Sequence, residues 1–233
     1  MNEKTHRNSL KPGHKVHWYE IKEILGQGGF GITYLAYDPN LKKYVAIKEY
    51  LPIEVAVREG DFSVSPVSEG HVEKYEWGLE RFIYEAQTLS NFKHPNIVSI
   101  LSVSEDNNTA YMVMEYEEGD SLKDKLGRKK TLKEDELLKI ILPIQEGMSM
   151  VHKAGFIHRD IKPGNIYIRN DGSPVLLDFG SARQALGEKT KTLTSLFTSG
   201  YAPFEQYFSK SDEQGEWTDI YGLGATMYRA VTG

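Results

Sequence analysis

From Val72 to Asn91 apolar residues recur every three or four positions, at Val72, Tyr75, Leu79, Phe82, Ile83, Ala86 and Leu89. That period predicts one long amphipathic helix. A second run with the same period (Leu137, Leu138, Ile141, Leu142, Met148, Val151) follows Thr131-Leu132-Lys133-Glu134, which has the T-x-x-E form of a capping box. Pro143 is expected to kink this second helix and Gly155 to end it. Elsewhere the pattern shortens to strands. Trp18 to Ala36 alternates in places, breaks at Gly26-Gln27-Gly28-Gly29-Phe30-Gly31, and resumes as Ile32-Thr33-Tyr34-Leu35, a hairpin with a glycine-rich turn. Tyr44–Lys48 reads as a strand ending in lysine, and Tyr111–Tyr116 as a buried strand. Ile166–Ile168 and Val175–Leu177 read as two short ones. Residues 1–17 are polar, with a Pro12-Gly13 turn signal, and are expected to form a flexible arm. Between the lysine strand and the first helix, residues 49–70 hold Tyr50-Leu51-Pro52, an expected short helix from Ile53 to Arg58, and a turn-rich Gly60-Asp61 and Ser65-Pro66 stretch.

Composition narrows the classes without naming one. A 233-residue chain with 39% hydrophobic and 26% charged residues is globular and long enough for one large core or two small lobes. A net charge of −5 argues against a nucleic-acid surface and removes the simplest reason for docking on anionic lipid. The absence of cysteine excludes disulfides and thiolate metal sites. No apolar run approaches the roughly 18 residues of a membrane span, and the first fifteen residues lack an apolar signal region. The expected location is therefore cytoplasmic, with a membrane tether only if a longer native chain exists. His6, His14 and His17 have no acidic or cysteine partner at ligand spacing, so they are read as ordinary polar residues.

Chemistry concentrates in one stretch. His158-Arg159-Asp160-Ile161-Lys162-Pro163-Gly164-Asn165 is followed by Leu176-Leu177-Asp178-Phe179-Gly180. Two carboxylates, an amide and a lysine thus flank short apolar strands. That set suits phosphoryl transfer: one carboxylate faces an attacking hydroxyl, while a second and an amide oxygen hold Mg²⁺ on nucleotide phosphates. The glycine run alone fits dinucleotide folds as well, but those continue directly into a helix, whereas here β-branched and aromatic residues continue a strand. Glycines then let backbone N–H groups approach phosphates without interference from Cβ. On the first helix, Glu85 lies on the core-facing edge with Phe82 and Leu89, where a carboxylate needs a partner. Lys48 is the candidate.

These motifs resemble, in order and spacing, the eukaryotic-like (Hanks-type) serine/threonine protein kinases found in bacteria. The H-R-D at 158–160, Asn165 five positions after Asp160, and the D-F-G at 178–180 carry the likeness. So do Val45-Ala46-Ile47-Lys48, His94-Pro95-Asn96-Ile97-Val98 and Trp217-Thr218-Asp219. The resemblance implies an α+β, two-lobed fold: a small antiparallel β lobe with one key helix over 18–117, and a mainly helical large lobe over 118–233. It implies ATP and Mg²⁺, with Mn²⁺ as a substitute, and protein substrates carrying serine or threonine. By resemblance Asp160, Lys162 and Asn165 are catalytic, and Asn165 and Asp178 hold the metal. Gly26, Gly28, Gly29, Gly31, Thr33, Ala46, Lys48, Glu85, Met114, Glu115, Glu117 and Tyr167 would surround ATP, with adenine on the backbone of Glu115 and Glu117. Lys162 follows the serine/threonine-specific pattern. The hydroxyl-rich segment 189–199, ending at Pro203-Phe204-Glu205, resembles an activation segment. Thr192 and Thr194 are candidate autophosphorylation sites, with Arg159, beside Asp160, the cation suited to bind a phosphorylated residue, and Thr198 is a third candidate that the resemblance places nearer the acceptor site. Asp219 would anchor the catalytic loop from the start of helix F, or else cap that helix.

The likeness has departures. Residues 49–70 are longer than the family usually carries there, and are expected either to form a passive loop or to press on the Glu85 helix as a regulatory or partner-binding handle. Thr33 replaces the usual valine above adenine, and Tyr167 the usual leucine below it. The likeness stops near residue 231, where the family continues through more helices. An exposed helix F, and a partner or second copy covering it, are expected on that ground. The competing expectation is a nucleotide-binding pseudokinase or scaffold. A small-molecule kinase of related fold is disfavoured by Lys162 and the 203–205 motif.

Overall fold

The computed structural model describes residues 8–179, the backbone of 183–184, and residues 198–207 and 214–233. They fall into two compact units: residues up to Asn91 with Ser99–Tyr116, and Phe92–Val98 with everything from Glu117 onward.

The first unit is built on an antiparallel sheet. Its strands are β1 (Lys15–Val16), β2 (Tyr19–Gly28), β3 (Gly31–Asp38), β4 (Lys43–Tyr50), β7 (Ile100–Asp106) and β8 (Thr109–Glu115), in the order β1-β2-β3-β4-β8-β7. Alternation decides which side chains face inward: Ile32, Tyr34 and Ala36 of β3 are buried, while Thr33, Leu35 and Tyr37 are half-buried. A separate hairpin, β5 (Ala56–Arg58) with β6 (Val64–Pro66), follows β4. A 3-10 turn at Glu69–His71 leads into α1 (Val72–Leu89), which packs its buried Tyr75, Phe82, Ala86 and Leu89 side toward β7 and β8.

Two expectations fail here. In place of the short helix from Ile53 to Arg58 there is a turn at 53–55 followed by strand β5, because Val57 and Arg58 pair with Ser65 and Val64 across the Glu59–Ser63 turn. Local propensity gave way to cross-strand bonds the sequence does not announce. The flexible arm is also packed from residue 8. Leu10 is 1% exposed, its N–H donates to the Tyr34 hydroxyl, and β1 extends the sheet.

The second unit has small sheets at its edge and helices behind. These are β9 (Gly119–Ser121), β11 (Ile166–Arg169) and β12 (Pro174–Leu176) in the order β12-β11-β9, and β10 (Phe156–Ile157) paired with β13 (Arg183–Gln184). α2 (Leu122–Lys129) begins at Ser121, whose hydroxyl accepts the Asp124 N–H at 3.0 Å. α3 (Glu134–Lys153) packs its Leu137, Ile140, Ile141, Ile144, Met148 and Val151 side inward, toward β10, β12 and α5 (Glu216–Thr232). α4 (Phe204–Tyr207) is a single turn. The expected Thr131–Glu134 capping box is displaced by two residues. Lys133 is the N-cap, and its N–H donates to the Glu136 carboxylate. Pro143 lies inside α3, and Gly155, at φ +79°, closes its end with an N–H to the His152 carbonyl.

Candidate phosphotransfer site

In the first unit, cross-strand register collects the expected nucleotide residues on one face of the sheet. Gly26 stands opposite Thr33, Thr33 opposite Lys48, and Ala46 opposite Met114, and directly opposed residues share a face. Lys48 and Met114 are buried, and Glu85 lies half-buried on α1, between Phe82 and Ala86. The glycine-rich stretch forms the β2–β3 turn, with Gly28 paired to Gly31 and Gly29-Phe30 at its tip. Its glycines have different reasons. A Cβ at Gly31 would stand 1.8 Å from the Glu49 carbonyl, so packing forbids a side chain. Gly26 and Gly28 have nothing within 4 Å of that position. The fold itself does not require glycine at those two; a ligand approaching the backbone would.

In the second unit, Asp219 organises the H-R-D segment. Its carboxylate accepts the N–H groups of His158 (2.8 Å) and Arg159 (2.7 Å), and Oδ2 also meets His152 Nε2 at 2.7 Å. Asp219 lies inside α5, three residues past its first position, so it is not the helix cap; that place belongs to Gly215. Bonded this way, Arg159 is held at φ +70°, an uncommon conformation for a side chain this large. Gln206 adds a third tie, donating from Nε2 to the Arg159 carbonyl at 2.8 Å. The His158 ring accepts from the Asp160 N–H at Nδ1 (3.2 Å) and meets the Leu177 carbonyl through Nε2 (3.0 Å), which requires the Nε2–H tautomer. The same ring lies 4.4 Å from that of Phe179. His158 thus couples the catalytic loop to the segment carrying Asp178, itself held at φ +55°.

Three polar side chains meet at Asp160. Lys162 Nζ donates to Oδ2 at 2.6 Å, Asn165 Nδ2 to Oδ2 at 2.9 Å and to the Asp160 carbonyl at 2.8 Å, and the Thr198 hydroxyl to Oδ1 at 3.0 Å. Lys162 also donates to Thr198 Oγ1 at 2.8 Å. Because its amide nitrogen is spent on Asp160, Asn165 presents Oδ1 as its remaining polar atom. The arrangement brings one cation and two neutral donors to a single carboxylate, with a hydroxyl already hydrogen-bonded to it.

A family model described as protein kinase domain matches residues 19–233. The chain belongs to the protein kinase family. It is 34% identical over 219 residues to the serine/threonine-protein kinase PrkC of Bacillus subtilis, covering 92% of this chain and 30% of that protein. With the serine/threonine-protein kinase PknB of Mycobacterium leprae it shares 31% over 230 residues, covering 95% and 33%. The solved structure titled PpkA-294 apo form superposes with a TM-score of 0.83 at 39% identity, covering 97% of this chain and 79% of that one. The chain spans about a third of the length of these curated relatives.

Within this kinase domain the expected residues divide between the units. Gly26, Gly28, Gly29, Gly31, Thr33, Ala46, Lys48, Glu85, Met114 and Glu115 lie in the first; Glu117, Asp160, Lys162, Asn165, Tyr167, Asp178 and Thr198 lie in the second. Thr192, Thr194 and Gly180 fall outside the described residues. The Glu117 carboxylate is held by Arg169 in a two-pronged pair at 2.6 and 2.8 Å. His152 and Gln206 escape sequence reading: α3 reads as scaffold without chemistry, and a glutamine after Pro203-Phe204-Glu205 carries no periodic signal. A polar residue at the buried end of an apolar helix, as His152 is, was the available clue.

Proposed function

We propose that this domain transfers the γ-phosphoryl group of ATP to serine and threonine hydroxyls of proteins, with Mg²⁺ (or Mn²⁺) as the metal, and that it autophosphorylates its own hydroxyl-rich segment. The observation that carries the reading is the Asp160 cluster, in which a threonine hydroxyl already donates to the carboxylate flanked by Lys162 and Asn165. A substrate hydroxyl taking the place of Thr198 would give its proton to Asp160 Oδ1. Lys162 would then neutralise charge on the phosphoryl group in transit.

The donor set fits Mg²⁺ held on phosphates: one carboxylate (Asp178) and one amide oxygen (Asn165), with no group of three or more His, Cys, Asp or Glu among the described residues. A bound divalent cation would supply positive charge to offset that of the phosphates. Asp178 and Asn165 would hold it. Lys48, oriented by Glu85, would take the α- and β-phosphates, and the backbone at Gly26 and Gly28 would cover them. Thr33, Ala46, Met114 and Tyr167 would enclose adenine, with Glu115 and Glu117 offering main-chain bonds. Thr192 and Thr194 are the proposed autophosphorylation sites, with the Arg159 guanidinium suited to bind a phosphorylated residue of that segment. Thr198, engaged by Asp160 and Lys162, is read as an acceptor-site residue. No described helix is long and apolar enough to cross a membrane, and the place proposed for this domain is the cytoplasm.

Intact-mass spectrometry after incubation with Mg·ATP tests the reading. The wild-type chain is expected to gain whole multiples of a phosphate mass and Asp178→Ala none. An unmodified wild-type chain that also leaves a generic protein substrate unlabelled would refute it.

A further inference from the structure

Glu49 and Arg58 form a buried ion pair outside the set of groups assigned above to phosphoryl transfer. Their side chains are 0% and 6% exposed, and Arg58 Nη2 lies 2.5 Å from Glu49 Oε2. Glu49 follows Lys48 on β4, so the two side chains point to opposite faces of the sheet. On the Glu49 face, the Tyr34 hydroxyl donates to Glu49 Oε2 (2.9 Å) and accepts the Leu10 N–H (3.1 Å). Arg58 adds bonds from Nε to the Asn8 carbonyl (2.8 Å) and from Nη1 to the Phe62 carbonyl (2.7 Å). One guanidinium therefore fastens three pieces of chain: β4, the β5–β6 hairpin and residues 8–10.

The hairpin reaches onward to α1. The Val64 N–H donates to the Asn107 carbonyl (2.8 Å), and Asn108 Nδ2 donates to the Val64 carbonyl (2.7 Å). Asn107 and Asn108 are the β7–β8 turn, at φ +52° and +55°. The Tyr75 hydroxyl of α1 donates to the Asn108 carbonyl (2.6 Å), and the Tyr50 hydroxyl at the end of β4 donates to the Tyr75 carbonyl (3.1 Å). The Tyr50 ring also packs on those of Tyr75 and Phe82, at 5.4 and 5.7 Å. Burial holds the Tyr34 and Tyr50 hydroxyls far above the ordinary tyrosine range, so both stay protonated donors.

We propose that Arg58 and Asn108 are positioning residues for phosphoryl transfer: the hairpin anchored on Glu49 holds the β7–β8 turn and through it fixes α1 at Tyr75, setting where Glu85 stands relative to Lys48. The inference rests on the phosphotransfer reading above and adds to it the residues that hold α1 in place. A helix with one edge tethered to a turn and the other to a strand end has little freedom to rotate. Loosening the hairpin would return that freedom ten residues before Glu85. Docking of residues 8–10 through Asn8 and Leu10 makes them part of the same fastening.

The test uses the full 233-residue chain, well below its melting temperature, and measures steady-state kinetics together with hydrogen exchange of residues 72–89. Arg58→Met is expected to lower kcat about ten-fold or more, leave the KM for protein substrate unchanged, and speed exchange in α1. Asn108→Gly keeps the turn's positive φ, removes the Val64 bond, and is expected to act in the same direction more weakly. Glu49→Met/Arg58→Met removes both buried charges and is expected to recover most of the lost rate, since an uncompensated charge is worse than an apolar pair. Asp61→Ala removes two bonds to Ser63 at the exposed hairpin tip and none made by Arg58, and is expected to match wild type. Faster exchange confined to residues 53–67 in Arg58→Met, with kcat and α1 exchange at wild-type values, would overturn the proposal. If Arg58→Met fails to fold, Asn108→Gly with wild-type kcat and α1 exchange overturns it instead. A wild-type chain with no phosphotransfer at all fails the functional reading, while the exchange experiment still reports on the fastening of α1.

Discussion

At the scale of single residues, the site separates groups that build the fold from groups that serve the reaction, and the two kinds respond differently to substitution. Gly31→Ala drives a Cβ into the Glu49 carbonyl at 1.8 Å, so the β3–β4 pairing must spread. The expected result is a loss of stability of roughly 2 kcal/mol or more in urea unfolding. Gly28→Ala meets no atom within 4 Å and is expected to leave unfolding within about 0.5 kcal/mol of wild type while raising the KM for ATP. Equal effects of the two on stability would contradict the division. Asp219 belongs to both kinds. Asp219→Asn replaces a carboxylate accepting two backbone N–H groups with an amide whose nitrogen must face a donor. It is expected to cost about 1.5–3 kcal/mol and to lower kcat well beyond what the unfolded fraction explains, because His158 and Arg159, which lead into Asp160, lose their anchor. A kcat that follows the folded fraction alone would show that the anchor supports only the fold.

At the scale of elements, termini were harder to read than interiors. The α3 period was plain in the sequence, yet its first turn is capped from Lys133, and Glu136, not Glu134, turns back. The T-x-x-E match at Thr131 failed because the Leu132 N–H instead bonds the Ala230 carbonyl of α5, a partner almost a hundred residues away. Lys129 holds the Glu136 carboxyl below its usual range, chiefly through a hydrogen bond, with the Lys133 N–H adding to it. A carboxylate with a depressed folded pKa stabilises above its unfolded pKa, and that contribution is lost as pH falls through the folded value. Glu136→Gln is therefore expected to lower the melting temperature slightly at neutral pH and to match wild type under strongly acidic conditions. Thr131→Ala is expected to be neutral at both. The β5–β6 hairpin was missed for the same kind of reason. Its stabilising bonds come from Glu49, Asn107 and Asn108, and no local pattern in residues 53–58 distinguishes a strand held from outside from a short helix. The cluster of Asp160, Lys162 and Asn165 was legible as a set because its members fall within one short stretch of chain. Their supports, His152 and Gln206, act from afar and were not.

At the scale of the whole molecule, the sequence led us to expect apolar surface on the helix that carries Asp219, and α5 has it. Trp217, Ile220, Tyr221 and Tyr228 are each more than half exposed, while Leu223, Thr226 and Ala230 on the opposite side are buried. An open cavity of about 580 Å³ runs along this side, lined in part by Tyr201, Tyr221, Tyr228 and Arg229. Soluble monomers rarely expose contiguous apolar patches beyond a few hundred Å², and these four large side chains sit on one helix. The chain as it stands is therefore expected to bind a hydrophobic dye and to self-associate as its concentration rises. Ile220→Lys combined with Tyr228→Lys breaks the patch without entering the core, since both side chains point to solvent. The double variant is expected to keep the wild-type circular dichroism and melting temperature while lowering dye fluorescence several-fold and shifting light scattering to a single small species. A wild-type chain that remained unassociated and dye-silent at high concentration would refute the exposure of this face in solution.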